Sequence, residues 1–391
     1  MYVTLSAAPA CGYELTICRF VSTRNSVYAY SYDANARNIT SNPQEIITAM
    51  DNNGHVTRTL FVHENYILVS AGSEGNIDPK ATEIDTGHSV IKSFDLNEAQ
   101  SRTGPYKFPT EGTVLGWGLR NSVGLTVDPR RGGIWSVENS IDDFKRDGKT
   151  VSEDNPGEEL NFLGYVNDTL SVTGYVGRNY GYPSCVAVWD VESLPDNQGL
   201  QVGDQILVDD STAKLANNDT DCRNPEKFTP PRLTFQAHMA PLDVHFNNYA
   251  DKPEIGGDGD LWVTFHGSWD RNLPVGYKLS KIPFDNGTGV PVAKATDKQN
   301  YEDIMWNNNL TKCGNNECFR PVGVVVDRKG RVWLGSDATG EVFVLWRNSS
   351  EGGNNGGGGG GGGGKNHASN TTGRLWVAAT MACFLGVLFM Q

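Results

Sequence analysis

An all-β fold is predicted by three features of this 391-residue sequence. Helical periodicity is scarce between residues 25 and 347, short apolar runs recur in its place, and each run is closed by Gly, Asn or Asp. The runs are SVYAYSYD (26–33), TLFVHENYILVSAG (59–72), SVGLTVDPRRGGIWSVEN (122–139), DGDLWVTFHGS (258–268) and PVGVVVDRKGRVWLGSD (321–337). Several share one pattern: a strand of about five residues, a polar turn, then a second strand ending on a small or polar residue. Arg58, Arg120, Pro241 and Arg320 stand at corresponding places in the pattern, separated by steps of 62, 121 and 79 residues. Repetition at this spacing points to a β-propeller, in which sheets surround a central channel.

Composition narrows the function. Thirty-three basic against 46 acidic residues give a net charge of −13, with no basic block, which disfavours a nucleic-acid partner. An aromatic content of 10% excludes disorder of the whole chain. Of the 45 glycines, 11 fall in residues 352–364, the pattern of a flexible tether; the other 34 punctuate turns.

The ends suggest an address. Residues 375–391 carry no charge and follow a polar stretch and the polyglycine, as in a signal for GPI attachment; a tail-anchored helix is the alternative. Seven Asn-x-Ser/Thr sites (Asn38, Asn167, Asn218, Asn286, Asn309, Asn348 and Asn370) agree with a secretory route to the cell surface. Cys313 and Cys318 are close enough in sequence to pair, and Cys185 with Cys222 is the natural second disulfide. Cys11 and Cys18 stay unassigned, and Cys383 lies in the tail. Residues 1–10 lack the charged and apolar regions of a signal peptide, so the expected start is truncated or incorrect. The expected division is an unreliable segment 1–25, a propeller 26–347, a Gly/Asn-rich linker 348–374 and the apolar tail 375–391.

Polar motifs lead into the repeated hairpins: GHVTRTL (54–60), GWGLRNSVGL (116–125), SVENSIDD (136–143), NPGEELN (155–161), NYGYP (179–183), FQAHMAPLDVHF (235–246), HGSWDRNLPVGYKL (266–279) and RPVGVVVD (320–327). In a propeller these line one mouth of the channel, where Arg58, Arg120, Arg320, His55, His238 and His266 would converge. Cations clustered in an acidic protein imply an anionic ligand. A histidine among arginines is held neutral and can act as a base. Any one of the arginines could instead close an ion pair between sheets.

These motifs, in this order over residues 26–346, resemble the soluble quinoprotein glucose/sorbosone dehydrogenases, and most of all the fungal pyranose dehydrogenases that depend on pyrroloquinoline quinone (PQQ). The resemblance implies a six-bladed propeller holding PQQ and Ca²⁺ over the channel. It implies that His55 takes the proton of a sugar C1 hydroxyl as hydride passes to the quinone, with Arg120 holding the transferred charge. Asn121, Arg58, Arg271 and Arg320 would bind the cofactor, and His238 and His266 would line the sugar side. The main-chain carbonyls of Ser140 and Ile141, with atoms of the cofactor, would hold the Ca²⁺. Electrons would pass to a cytochrome or another external acceptor. The family's first blade, with its NHG-like motif, has no counterpart in residues 11–25, and an open edge is expected there. Two alternatives stay open: a non-enzymatic cell-surface propeller that binds glycans, and a lactonase-like hydrolase, which needs a Ca²⁺ site of side-chain carboxylates and Asn.

Overall fold

The repeated Asp turns do form hairpins. Asp128 accepts a hydrogen bond from Arg130 N at 2.9 Å through its carboxylate, and its main chain pairs with Gly133 at 2.8 Å. Asp327 repeats the turn, accepting from Lys329 N at 2.9 Å and Arg331 N at 3.0 Å. Gly132 and Gly330 close the two loops at φ of 73° and 78°, a region that costs a side chain free energy and glycine little. The computed structural model describes residues 7–9, 17–166, 174–247, 255–315, 317–347 and 375–381.

Among the described residues, five sheets of four or more strands follow one another along the chain. The first joins Ile17–Ser22, Val27–Asp33 and Gln44–Thr48, with short strands beside them. The second holds Leu60–His63, Tyr66–Ala71, Val90–Asp95 and Thr113–Trp117. Ser122–Val127, Gly133–Glu138, Glu158–Tyr165 and Leu233–Phe235 make the third. The fourth is Pro241–Phe246, Leu261–Phe265, Lys278–Ile282 and Glu302–Trp306; the fifth is Pro321–Val326, Val332–Ser336, Glu341–Arg347 and Leu375–Met381. Two small two-stranded sheets, Lys145–Arg146 with Lys149–Thr150 and Cys185–Ala187 with Gln205–Leu207, complete the set. Helices are few and short. The fold is therefore all-β and propeller-like; the described residues form five blades where six were expected.

Leading strands of successive sheets pack side by side: Leu60–His63 on Ser122–Val127, that strand on Pro241–Phe246, and this on Pro321–Val326. Side chains stitch neighbouring sheets by donating to main-chain carbonyls. Ser22 Oγ reaches Arg58 O at 2.8 Å, Thr59 Oγ1 reaches Val123 O at 2.5 Å, and Thr264 Oγ1 reaches Val322 O at 2.9 Å. Each places a hydroxyl where a buried carbonyl would otherwise lack a partner. Between sheets the core is aromatic: Trp135 meets the Phe284 ring edge-on at 5.0 Å, and Phe235 meets Phe265 at 5.1 Å.

The disulfides Cys185–Cys222 and Cys313–Cys318 form as expected. Cys18 is disulfide-bonded too. Strand Ile17–Ser22 lies inside the segment set apart as 1–25. It packs Cys18 and Phe20 into the first core and pairs along its length with Val27–Asp33. Among the described residues no helix is long and apolar enough to cross a membrane. Within the tail, Leu375–Met381 is a strand pairing antiparallel with Glu341–Arg347; residues 382–391 and the linker 348–374 lie outside the described residues, as do Cys11, Cys383, Asn167, Asn348 and Asn370. Asn38, Asn218, Asn286 and Asn309 are exposed.

Candidate functional site

Polar motifs sit on the loops that enter the leading strands (His55, Arg120, His238, Arg320) and on those that leave the second strands (Asp142, His266, Asp270), and their side chains form a connected set. His55 precedes the first strand of the second sheet. Its Nδ1 lies 3.0 Å from Ser73 Oγ and 3.1 Å from Ser73 O, while that hydroxyl donates to Gly75 O at 2.6 Å. A carbonyl only accepts, so Nδ1 carries the hydrogen and Nε2 presents a lone pair. Burial, then the charge of Arg120, depress the imidazole pKa to about 4, so it is neutral near pH 7. Gly72 lets this loop close: a Cβ there would stand 2.7 Å from both His55 Cβ and Asn121 Oδ1.

Arg120 is held from every side. Its N–H donates to Glu138 Oε1 at 2.6 Å, Nε to Asn76 O at 3.2 Å, Nη1 to Asn139 O at 3.3 Å, and Nη2 to Asn76 Oδ1 at 2.9 Å and Asp142 Oδ2 at 2.8 Å. Four of the five guanidinium hydrogens are committed inside the protein, and Asp142 neutralises the charge. The neighbouring Asn121 carbonyl accepts from Asn139 N at 3.0 Å, tying this loop to the one that carries Ser140 and Ile141.

Asp142 faces a second group. His238, in a left-handed turn (φ 65°), contacts Ser152 O through Nε2 and sets Nδ1 3.2 Å from Asp270 Oδ1 and 3.8 Å from Asp142 Oδ1. Burial raises the Asp270 carboxyl pKa, partly offset by His238. His266 continues the arc: its N–H donates to Ala240 O at 2.9 Å, and its Nε2 lies 2.9 Å from Asp337 Oδ1. Its pKa is lowered by burial, against the raising effect of Asp337. Arg320 closes the arc, with Nε donating to His266 O at 3.3 Å and Nη2 to Gly267 O at 2.8 Å. Nη1 donates to no described residue.

Two expected cofactor ligands are turned elsewhere. Arg58 is 1% exposed, and its guanidinium donates to His55 O at 2.7 Å, Thr57 O at 3.0 Å and Met50 O at 3.0 Å. Burial lowers its pKa to about 10. It braces the His55 loop from behind. Arg271 donates to Glu153 O, to Leu273 O at 3.1 Å and to Asp154 Oδ1 at 3.3 Å, fastening its own loop to the 153–154 turn. Asp142, Asp270 and Asn76 are the participants that the sequence reading passed over, although the first two stand in SVENSIDD and HGSWDRNLPVGYKL.

The donors suit a planar polyanion and a hard cation. Arg320 keeps Nη1 for a carboxylate, and Arg120 keeps one hydrogen. The carbonyls of Ser140 and Ile141 accept no hydrogen bond among the described residues; Asp142 follows them in the chain and clusters with His238 and Asp270 within 4.8 Å. Asp270 Oδ1 is buried without a hydrogen-bond partner. Uncommitted carbonyl and carboxylate oxygens match an ion such as Ca²⁺, which takes oxygen ligands.

Fold and site together define a propeller-like protein with a connected arc of Arg, His and Asp side chains. The chain belongs to the TrAA12-like family, whose model matches residues 12–348. It is 40% identical over 337 residues to a PQQ-dependent sugar dehydrogenase of Hypocrea jecorina (strain QM6a), covering 85% of this chain and 72% of that protein. It is 34% identical over 337 residues to a PQQ-dependent pyranose dehydrogenase of Coprinopsis cinerea, covering 82% of this chain and 44% of that protein. The chain thus spans less than half the length of the Coprinopsis relative. Among solved structures, the calcium structure of a Trichoderma reesei Carbohydrate-Active Enzymes Family AA12 protein superposes with a TM-score of 0.78 at 40% identity, covering 88% of this chain and 80% of that one. The holo form of the pyranose dehydrogenase PQQ domain from Coprinopsis cinerea gives 0.73 at 31% identity, covering 85% and 79%.

Proposed function

We propose that this protein is a PQQ- and Ca²⁺-dependent sugar dehydrogenase that oxidises the C1 hydroxyl of a pyranose and hands the electrons to an external acceptor. The observation that carries the reading is His55, a neutral imidazole with its lone pair on Nε2, held among the groups that suit an anion and a hard cation. The two PQQ-dependent relatives support it. When bound, PQQ supplies the two-electron acceptor for the sugar hydride. His55 Nε2 takes the hydroxyl proton, Ser73 fixes its tautomer, and Arg58 fixes its loop. Arg320 Nη1 pairs with a cofactor carboxylate, and Asn121 and the last Arg120 hydrogen orient the ring edge. The carbonyls of Ser140 and Ile141 hold the cation, while His238 and His266 line the sugar side.

The six-bladed ring belongs to the same proposal, as do a secretory route and a GPI-type anchor at the cell surface, whose attachment would remove the Leu375–Met381 strand from the fifth sheet. The disulfides and four exposed Asn-x-Ser/Thr sequons support the secretory route. Purified protein supplied with PQQ and Ca²⁺ should reduce a dye in the presence of pyranoses such as fucose or glucosone. PQQ binding without turnover on any pyranose would overturn the enzymatic reading.

A further inference from the structure

Glu158 begins the third strand of the third sheet and is 4% exposed. Its two carboxylate oxygens reach different loops. Oε2 accepts from Ser140 N at 2.7 Å, and Oε1 accepts from Ala240 N at 3.3 Å. Ser140 belongs to the loop offered as cation ligand. Ala240 ends the left-handed turn that carries His238, and is itself at φ 53°. The chain of bonds continues outward: Ala240 O accepts from His266 N at 2.9 Å, and Met239 O accepts from Gly267 N at 3.0 Å. The carbonyls of His266 and Gly267 in turn take Arg320. One buried carboxylate, on a strand that does not itself enter the site, thus joins three loops of the arc.

Main-chain carbonyls ligate a cation well only if their peptides are oriented before the ion arrives. The Ser140 N–H lies in the Asn139–Ser140 peptide plane, whose carbonyl also takes Arg120 Nη1, so holding it fixes the plane from which the Ser140 and Ile141 carbonyls project. Glu158 supplies that constraint at Ser140 and couples it to the His238 turn.

We infer that Glu158 is a positioning residue for the cation, setting the Ser140–Ile141 peptides and the His238–Ala240 turn as one unit through its bonds to Ser140 N and Ala240 N. The inference rests on the proposed Ca²⁺ site and names a residue outside the ligand set. Glu158→Gln tests it, because the amide keeps the shape and retains one acceptor oxygen but sets an NH2 against the other N–H. Groups that orient metal ligands typically change metal affinity about 10- to 100-fold when replaced.

Calorimetric titration of Ca²⁺ into wild type and Glu158→Gln, each without PQQ and with saturating PQQ, reads this directly. The expected result is a Kd raised at least about tenfold in the variant. At saturating Ca²⁺ and PQQ, its KM for sugar should stay within about twofold of wild type, a split that general loss of structure would not give. Equal Ca²⁺ affinity in the two proteins would overturn the inference while leaving the proposed function standing. Failure of the wild type to bind Ca²⁺ under either condition would overturn the proposed function and this inference with it. If Glu158→Gln folds poorly, Glu158→Asp gives the same comparison. It keeps the charge but falls one methylene short of bridging both loops, and wild-type affinity in that variant likewise refutes the assignment.

Discussion

Gly72→Ala is a perturbation whose size follows from the coordinates. An added Cβ would sit 2.7 Å from His55 Cβ, 2.7 Å from Asn121 Oδ1 and 3.2 Å from Arg120 O. Ordinary contact needs roughly 0.7 Å more on each of the first two; the Asn121 amide can rotate aside, but the His55 loop must shift by about that much. The peptide cannot simply retreat. Gly72 O accepts from Asn52 Nδ2 at 2.6 Å and from Ser89 N at 3.2 Å, fixing it from the far side. Overpacking of this kind costs about 1–3 kcal/mol. A displacement approaching 1 Å at a proton acceptor costs up to about 100-fold in rate. Dye-reduction kinetics with saturating PQQ and Ca²⁺ should therefore show kcat down by about 10- to 100-fold, and a thermal melt should show a lower midpoint. Wild-type kcat together with a wild-type melting midpoint would refute the placement of His55 beside Gly72 and Asn121.

Other consequences are as direct. With the His55 pKa at about 4, protonation removes the acceptor lone pair only in acid, so kcat/KM should be level near neutrality and fall as pH drops through about 4. His55→Ala should keep PQQ binding and abolish that limb along with most turnover, as read by a pH–rate profile beside a PQQ titration. Arg320→Met removes the guanidinium that keeps Nη1 uncommitted, and a lost charge-assisted bond of about 1.5–3 kcal/mol should weaken PQQ binding roughly 10- to 100-fold. Replacing Cys185 and Cys222 by Ser frees a loop with a sequence separation of 37, which the chain-entropy account values at about 4 kcal/mol; a melt with and without reductant checks this.

Turn chemistry was the most legible layer of the sequence. Asp128 with Gly132 and Asp327 with Gly330 announce hairpins because both residue types act locally, within four positions. Disulfide partners were legible for the same reason at Cys313–Cys318. Direction was not legible. Arg58, Arg120, Arg271 and Arg320 look alike in a motif, yet burial decides that Arg58 serves the carbonyls behind His55 and Arg271 those of the neighbouring turn, while Arg320 leaves Nη1 uncommitted among the described residues. Acidic partners were harder still: Asp142 and Asp270 are 128 residues apart in sequence and come together only in the fold, around His238. Strand Ile17–Ser22 escaped notice because Arg19 lies buried between Cys18 and Phe20, so the run shows no alternation of polar and apolar residues.

Titration of PQQ into the purified protein, followed by the absorbance or fluorescence of the quinone with and without Ca²⁺, tests the central claim most directly. Saturable one-to-one binding that tightens when Ca²⁺ is added is the predicted result. Binding that is absent, or the same with Ca²⁺ as with a chelator, would contradict it.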